Sequence, residues 1–248
     1  MAQGKSLLAK RLTIFAQLTE EEQAYLDKLE ARPVHIMGGT EIAYEGQSTQ
    51  SVYIVRHGWT CEYKLLPDGG RQIIAFPVPG DCIGVRSVLL KASRHSFQAI
   101  SDVTLSRIDA PRIVRLFNEL PYLGMALLLA TTRNEAMIVE HLISLGRRTA
   151  IERIAHFFLE LHDRLLPVGL AGKTEFDCPI NQYLLADALG LSAIHVNRML
   201  RQLREEGLMT FADHKVTFHD LTRIEQLAGY FRSSDTPIIL RDAVAKKI

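Results

Sequence analysis

Cysteine is scarce in this chain: Cys61, Cys82 and Cys178 are the three in 248 residues. Their odd number, wide spacing and lack of a CxxC pair exclude a disulfide framework and a thiolate zinc site. They are expected as small buried hydrophobes in a reducing compartment. Long apolar runs are missing as well. The strongest, Leu123 to Ala130, is too short to cross a bilayer. The opening Met-Ala-Gln-Gly-Lys-Ser has no signal-peptide core. These features predict a cytoplasmic protein with no membrane partner. Charge of one sign is also lacking, with 29 Lys and Arg against 28 Asp and Glu. Dividing the chain at Gly146 gives 15 − 15 before it and 14 − 13 after it. Bulk electrostatics therefore makes no case for nucleic acid, and any such case has to rest on local patterning. The sequence has no HExxH, P-loop, GxSxG or Rossmann glycine fingerprint, so an enzyme is not expected. The run Glu20-Glu21-Glu22 reads as acids complementing a helix start. What remains is an ordinary globular composition, 47% apolar and 23% charged, in a chain long enough for two domains.

The texture changes three times. Up to about Leu29 the chain reads as helix, with Thr19 and Glu22 in capping-box register. From Val34 to about Ile108 it breaks into short β-rich runs, clearest at Ser51–Arg56, Trp59–Leu66, Arg71–Val78 and Val103–Ile108. Trp59, Cys61, Tyr63 and Leu65 alternate as in a strand with one buried face. Pro67-Asp68-Gly69-Gly70 is a hairpin signal. Several short strands at regular spacing predict an antiparallel roll. After Pro111 helical periodicity takes over. Between Pro121 and Leu145 the apolar positions Leu123, Leu127, Ala130, Met137, Ile138, Leu142 and Leu145 cover more than one face, enough for the chain's own β-domain and for a second copy. Asn134 and His141 interrupt the stripe as register-setting polar groups in a dimer seam would. Gly146-Arg147-Arg148-Thr149 reads as a break with a new N-cap at Thr149, and Gly146 as the hinge between domains.

The most informative segment runs from Cys178 to His219. Asn181 caps a short helix with apolar Leu184, Leu185, Ala188 and Leu189. Gly190-Leu191-Ser192 turns the chain where a Cβ would obstruct it. Ser192 caps a second helix, whose Val196, Leu200 and Leu203 form a buried stripe. Its opposite face carries His195, Asn197, Arg198, Arg201 and Arg204, and Asp187 is the only acid from Cys178 to Arg204. Long donors near a helix N-terminus can reach base edges, and flanking cations can meet phosphates. Gly207 to Phe218 then reads as two strands joined by Ala212-Asp213-His214-Lys215, a wing.

The run Leu184-Leu185-Ala186-Asp187-Ala188-Leu189-Gly190-Leu191-Ser192, followed by His195-Val196-Asn197-Arg198, resembles the helix-turn-helix of the Crp/Fnr family. It is most similar to the branch with a His-Val-Asn-Arg recognition helix. Tyr63 to Gly69, Pro79-Gly80-Asp81 and Gly146-Arg147-Arg148 match that branch too, so the resemblance covers about residues 10 to 230. It implies an α+β chain with a cyclic-nucleotide-binding-like β-roll or jelly roll at 1–120 and a dimerisation helix and hinge at 121–146. A winged helix-turn-helix at 147–230 and a C-terminal tail at 231–248 complete it. It also implies a bacterial, homodimeric regulator reading a palindrome in double-stranded DNA. Arg198 matches the family arginine that reads guanine, a bidentate contact to O6 and N7. Ile194 stands where the family often has Glu, so the half-site is expected to differ. His195 and Asn197 are the next candidates, with Asn181, Gln182, Ser192 and Ala193 at the helix starts and Arg201 and Arg204 for phosphates.

The sensor departs from the family's nucleotide-binding members. Gly80-Asp81-Cys82-Ile83-Gly84 is followed by Val85-Arg86, without the carboxylate that holds the ribose, and Ser93-Arg94-His95-Ser96 downstream offers Arg94. Gly84, Val85, Arg86, Arg94, His95 and Ser96 are the candidate effector pocket. Cyclic AMP is not expected as the ligand, since a buried phosphate lacking both partners binds poorly. The iron–sulfur cysteine cluster of oxygen-sensing relatives is absent, His95 reads as structural and not as a haem ligand, and His156 and His162 lack zinc spacing. No metal or cofactor is expected. Expected partners are DNA, a second copy, an unknown small-molecule effector, and RNA polymerase if the protein activates. An effector, or a change in protein level alone, would shift how the Gly146 hinge orients the recognition helices. The alternatives are an effector-binding adaptor whose winged helix contacts protein, and a cAMP-dependent regulator.

Overall fold

The computed structural model describes residues 6–47, 51–90 and 93–232. They form two compact units: residues up to Lys64 with Phe76–Ala136, and Leu65–Ala75 with Met137 onward. The tail expected at 231–248 lies, beyond Arg232, outside the described residues.

The first unit is a β-roll flanked by helices. Helices α1 (Leu7–Leu12) and α2 (Glu20–Leu29) come first. The capping box at the start of α2 forms: the Glu22 carboxylate accepts from the Thr19 amide at 2.7 Å, and the Thr19 hydroxyl accepts from the Glu22 amide at 3.3 Å. Strands β1 (Pro33–Ile36), β2 (Glu41–Ala43), β3 (Ser51–His57) and β4 (Thr60–Leu65) follow. The chain then passes through β5 (Arg71–Ala75), which belongs to the second unit. It returns as β6 (Cys82–Ile83), helix α3 (Val85–Leu90), β7 (Ser96–Ala99), β8 (Val103–Asp109) and helix α4 (Ala110–Glu119). One sheet has the order β1-β8-β3-β6, and in the other β7 lies between β2 and β4. The pairs are antiparallel, which gives each sheet one face for the core.

In β4 the expected alternation fails at both ends. Thr60 is buried because its hydroxyl donates to the Pro77 carbonyl at 3.1 Å, and Leu65 at the strand end is 59% exposed. Two apolar clusters fill the unit. One, around Val55, Ile83, Phe97 and Leu105, lies inside the roll. The other joins Leu8, Leu12 and Leu26 to Val52, Ile108, Leu116, Leu123 and Ala126, so the start of the long helix α5 (Pro121–Arg147) is packed against the N-terminal helices.

Helix α5 runs through Gly146 without a break and ends at Arg147. The interruption falls on Arg148, one residue before the N-cap Thr149, whose amide donates to Glu152 at 2.7 Å. The helix stop is therefore set by that capping box, and Gly146 keeps helical backbone angles. His141, expected in the seam, has a partner within its own chain. Its Nε2 lies 2.8 Å from Glu160 of the same chain.

The second unit contains the end of α5, then α6 (Ala150–Leu165), a single 3₁₀ turn at Leu166–Val168, β9 (Glu175–Asp177), α7 (Gln182–Leu189), α8 (Ala193–Glu205), β10 (Met209–Ala212), β11 (Lys215–Phe218) and α9 (Leu221–Ala228). Helix α6 is the hub, with Ile154, Phe158 and Leu161 fully buried against the helices and wing around it. Strand β9, which the sequence reading did not mark, extends the wing to a three-stranded sheet of order β10-β11-β9. Among the described residues no single helix is long and apolar enough to cross a membrane.

Candidate nucleic-acid interface

Asn181 caps α7, its side chain accepting from the Leu184 amide at 2.9 Å. The helix ends at Gly190, which adopts φ 62°. This left-handed geometry lets the Leu191 amide close on the Ala186 carbonyl at 3.1 Å and reverses the chain into α8. Ser192 caps α8 by accepting from the His195 amide at 3.2 Å. Val196, Leu200 and Leu203 are buried, as their spacing predicts. The other face is solvent-facing: Ile194 is 83% exposed, and Asn197, Arg198, Arg201 and Arg204 are exposed, with Ala193 and His195 half-buried.

The structure brings five of the ten predicted contact residues into one concavity. Gln182, Asn197, Arg198, Arg201 and Arg204 line a concavity of about 460 Å³, closed on the wing side by Thr210 and Phe211. Three of these side chains have partners within the protein. Asn197 Nδ2 donates to Gln182 Oε1 at 2.6 Å, bracing the start of α7 against α8. Arg201 pairs with Glu205 at 2.6 Å, one turn further on.

The wing is a two-residue hairpin in the register Met209↔Phe218 and Ala212↔Lys215. Asp213 and His214 at its tip both have positive φ, 51° and 57°. This is the mirror-image turn whose twist suits a hairpin, and Asp and His are among the non-glycine residues that tolerate it. Replacing His214 by Gly should therefore stabilise the unit by about 0.5–1 kcal/mol, read as a higher thermal midpoint.

Beneath the interface α6 carries a buried ionisable cluster. Glu160 lies between His141 at 2.8 Å and Arg164 at 3.8 Å. His156 is 3.6 Å from Glu140 and stacks edge-on against Tyr230 at 4.9 Å. Burial, then the nearby Arg148 guanidinium, pushes the His156 imidazole down from 6.5 to about 4. Burial also works against a charged His141, but Glu160 outweighs it and the net shift is upward. Glu160 is held below its ordinary value because His141 and Arg164 overcome its burial. The signs follow. His156 favours folding above its unfolded value of 6.5, and this contribution is lost as pH falls towards 4. That of His141 is present below 6.5 and is lost as pH rises through its raised folded value. Urea midpoints measured at pH 7 and pH 5 should reveal a loss of about 2 kcal/mol from His156 on the acid side. The variant His156→Gln should lack that loss.

In the roll, two of the candidate effector residues, Arg86 and His95, meet a carboxylate that the sequence does not mark. Glu62 of β4 has His95 Nδ1 at 2.8 Å and Arg86 Nη2 at 3.8 Å. Ser96 Oγ accepts from the Glu45 amide at 3.1 Å, Arg94 is exposed, and Gly84 takes φ 83° ahead of Val85. Among the described residues no group of three or more His, Cys, Asp and Glu side chains could hold a metal ion. None of the three cysteines is in a disulfide; burial pushes the Cys82 and Cys178 thiols up to about 12.

A β-roll, a long helix and a winged helix-turn-helix with a basic, acid-poor second helix define a DNA-binding transcription regulator. Residues 33–119 match the cyclic nucleotide-binding domain, and residues 152–227 match the Crp-like helix-turn-helix domain. The nitrogen fixation regulation protein FixK of Bradyrhizobium diazoefficiens is 34% identical over 200 residues, 80% of this chain and 82% of that protein. The transcriptional activatory protein AadR of Rhodopseudomonas palustris is 32% identical over 82% of this chain and 84% of its own length. The solved structure of FixK2 from Bradyrhizobium japonicum matches with a TM-score of 0.72 and 30% identity, covering 81% of this chain and 98% of that one. The chain belongs to the Crp/Fnr family of transcription regulators.

Proposed function

We propose that the protein binds a palindromic operator as a homodimer in the bacterial cytoplasm, with one α8 in each of two successive major grooves. The observation that carries this reading is the asymmetry of α8: Val196, Leu200 and Leu203 are buried, while Ile194, Asn197, Arg198, Arg201 and Arg204 are exposed. Arg198 is assigned to a guanine, Ile194 to a thymine methyl, and Arg201 and Arg204 to phosphates, with Gln182 and the helix starts at Asn181 and Ser192 flanking them. The exposed apolar positions of α5 are assigned to the dimer seam, and RNA polymerase is the further partner if the protein activates.

The roll is assigned an effector site around Arg86 and His95 that takes no cyclic nucleotide. The support is Glu62, whose carboxylate already occupies Arg86 and His95 and would repel a cyclic phosphate. No haem, iron–sulfur cluster or catalytic activity is proposed. Selection of ligands for the purified protein from random duplex DNA tests the reading. Enrichment of a palindrome with half-sites about one helical turn apart is expected. Recovery of unrelated sequences, with and without cell extract as a source of effector, would overturn it.

A further inference from the structure

Asp187 lies in the last turn of α7, the end of a helix where a negative charge is least favoured. It is also the only acid between Cys178 and Arg204. Its compensation comes from β5. Arg71 Nε and Nη2 lie 2.9 and 2.8 Å from Asp187 Oδ2. The next residue, Gln72, donates its side-chain Nε2 to the Ala188 carbonyl at 3.1 Å, and Arg153 of α6 donates to the Leu189 carbonyl at 2.8 Å. The last carbonyls of a helix have no partner within it, so both are satisfied from outside by side chains of other elements. The turn that follows sets the direction of α8, and at Gly190 a Cβ would already meet Leu145 of α5 at 3.4 Å. The end of α7 is thus held by β5 and α6 together.

We infer that Arg71 and Gln72 are positioning residues for DNA recognition. By fixing the C-terminal turn of α7 and neutralising Asp187, they set the presentation of α8 without touching DNA. The inference rests on the reading that α8 contacts DNA. It also makes β5, which follows β4 of the roll after five intervening residues, part of the recognition machinery.

The test uses the full chain with the selected operator and a random duplex of equal length, titrated over a range of salt. Arg71→Ala and Asp187→Ala should each lower the operator-to-random affinity ratio by roughly five- to tenfold, non-additively in the double variant. The reversed pair Arg71→Asp with Asp187→Arg should recover most of it. The salt slope should stay unchanged, since no phosphate contact is lost. Hydrogen exchange at Gly190–Ser192, measured without DNA, should rise in both single variants and fall again in the reversed pair. Tighter binding of both duplexes by Asp187→Ala would mean simple repulsion and overturn the inference. So would an equal loss on both duplexes with a flatter salt slope in Arg71→Ala, which would make Arg71 a phosphate contact. Unchanged exchange at the turn would overturn it independently of any DNA result. Loss of the operator preference in the unsubstituted protein would instead remove the DNA reading itself. Arg71 and Asp187 are partly exposed, at 25% and 31%, so their variants are expected to fold.

Discussion

Leu142→Asp should convert the protein to a monomer and lower operator affinity by at least a hundredfold. Along α5, Met125, Leu128, Val139 and Leu142 are 46%, 51%, 51% and 70% exposed. Positions 125, 128, 132, 135, 139 and 142 recur at alternating spacings of three and four, the interval of a coiled-coil seam. The buried Leu123 and Ala126 lie on a different face and are spent on the chain's own core. An exposed leucine contributes little to the monomer, whereas its burial against a second copy is worth roughly 1.5–3 kcal/mol. A two-fold interface counts it twice. A carboxylate there loses that burial and adds two charges to a seam that already holds Glu135. Sedimentation equilibrium should therefore report a monomer with unchanged helix content. A dimer of undiminished affinity would show that the seam lies elsewhere.

Arg198→Ala is the second large effect. Removing a bidentate guanine contact should cost about 1–3 kcal/mol per half-site and relax selectivity at one symmetric pair of operator positions. Arg198→Lys should restore little, because an ammonium cannot reproduce the planar fork. Arg204→Ala should behave differently, weakening operator and random DNA alike and reducing the salt slope by about one. Equal losses on every operator variant for Arg198→Ala would reassign Arg198 to the backbone.

These expectations draw unequally on sequence and structure. The helix-turn-helix was legible because local chemistry specifies it. Asn181 and Ser192 cap, Gly190 takes the left-handed turn, and Val196, Leu200 and Leu203 keep helical spacing. The wing was legible through its turn residues, but β9 was not, because three residues carry too little periodicity to mark a strand. The break before α6 was legible through the N-cap at Thr149, but α5 runs through Gly146 to Arg147, since glycine permits a break without requiring one. His141 read as a seam residue because its partner, Glu160, is nineteen positions away on another helix. Glu62 and Arg71 were invisible for the same reason: an isolated charge on a strand does not announce which long-range partner it meets. What sequence spacing conveys is the face of an element, and what it withholds is the tertiary neighbour.

The central claim is that this protein reads a DNA sequence. The most direct measurement is the ratio of dissociation constants for the selected operator and for random duplex of the same length at one physiological salt concentration. A ratio of at least about a thousand is predicted. A ratio near one would leave only electrostatic attachment to the backbone and would contradict the account.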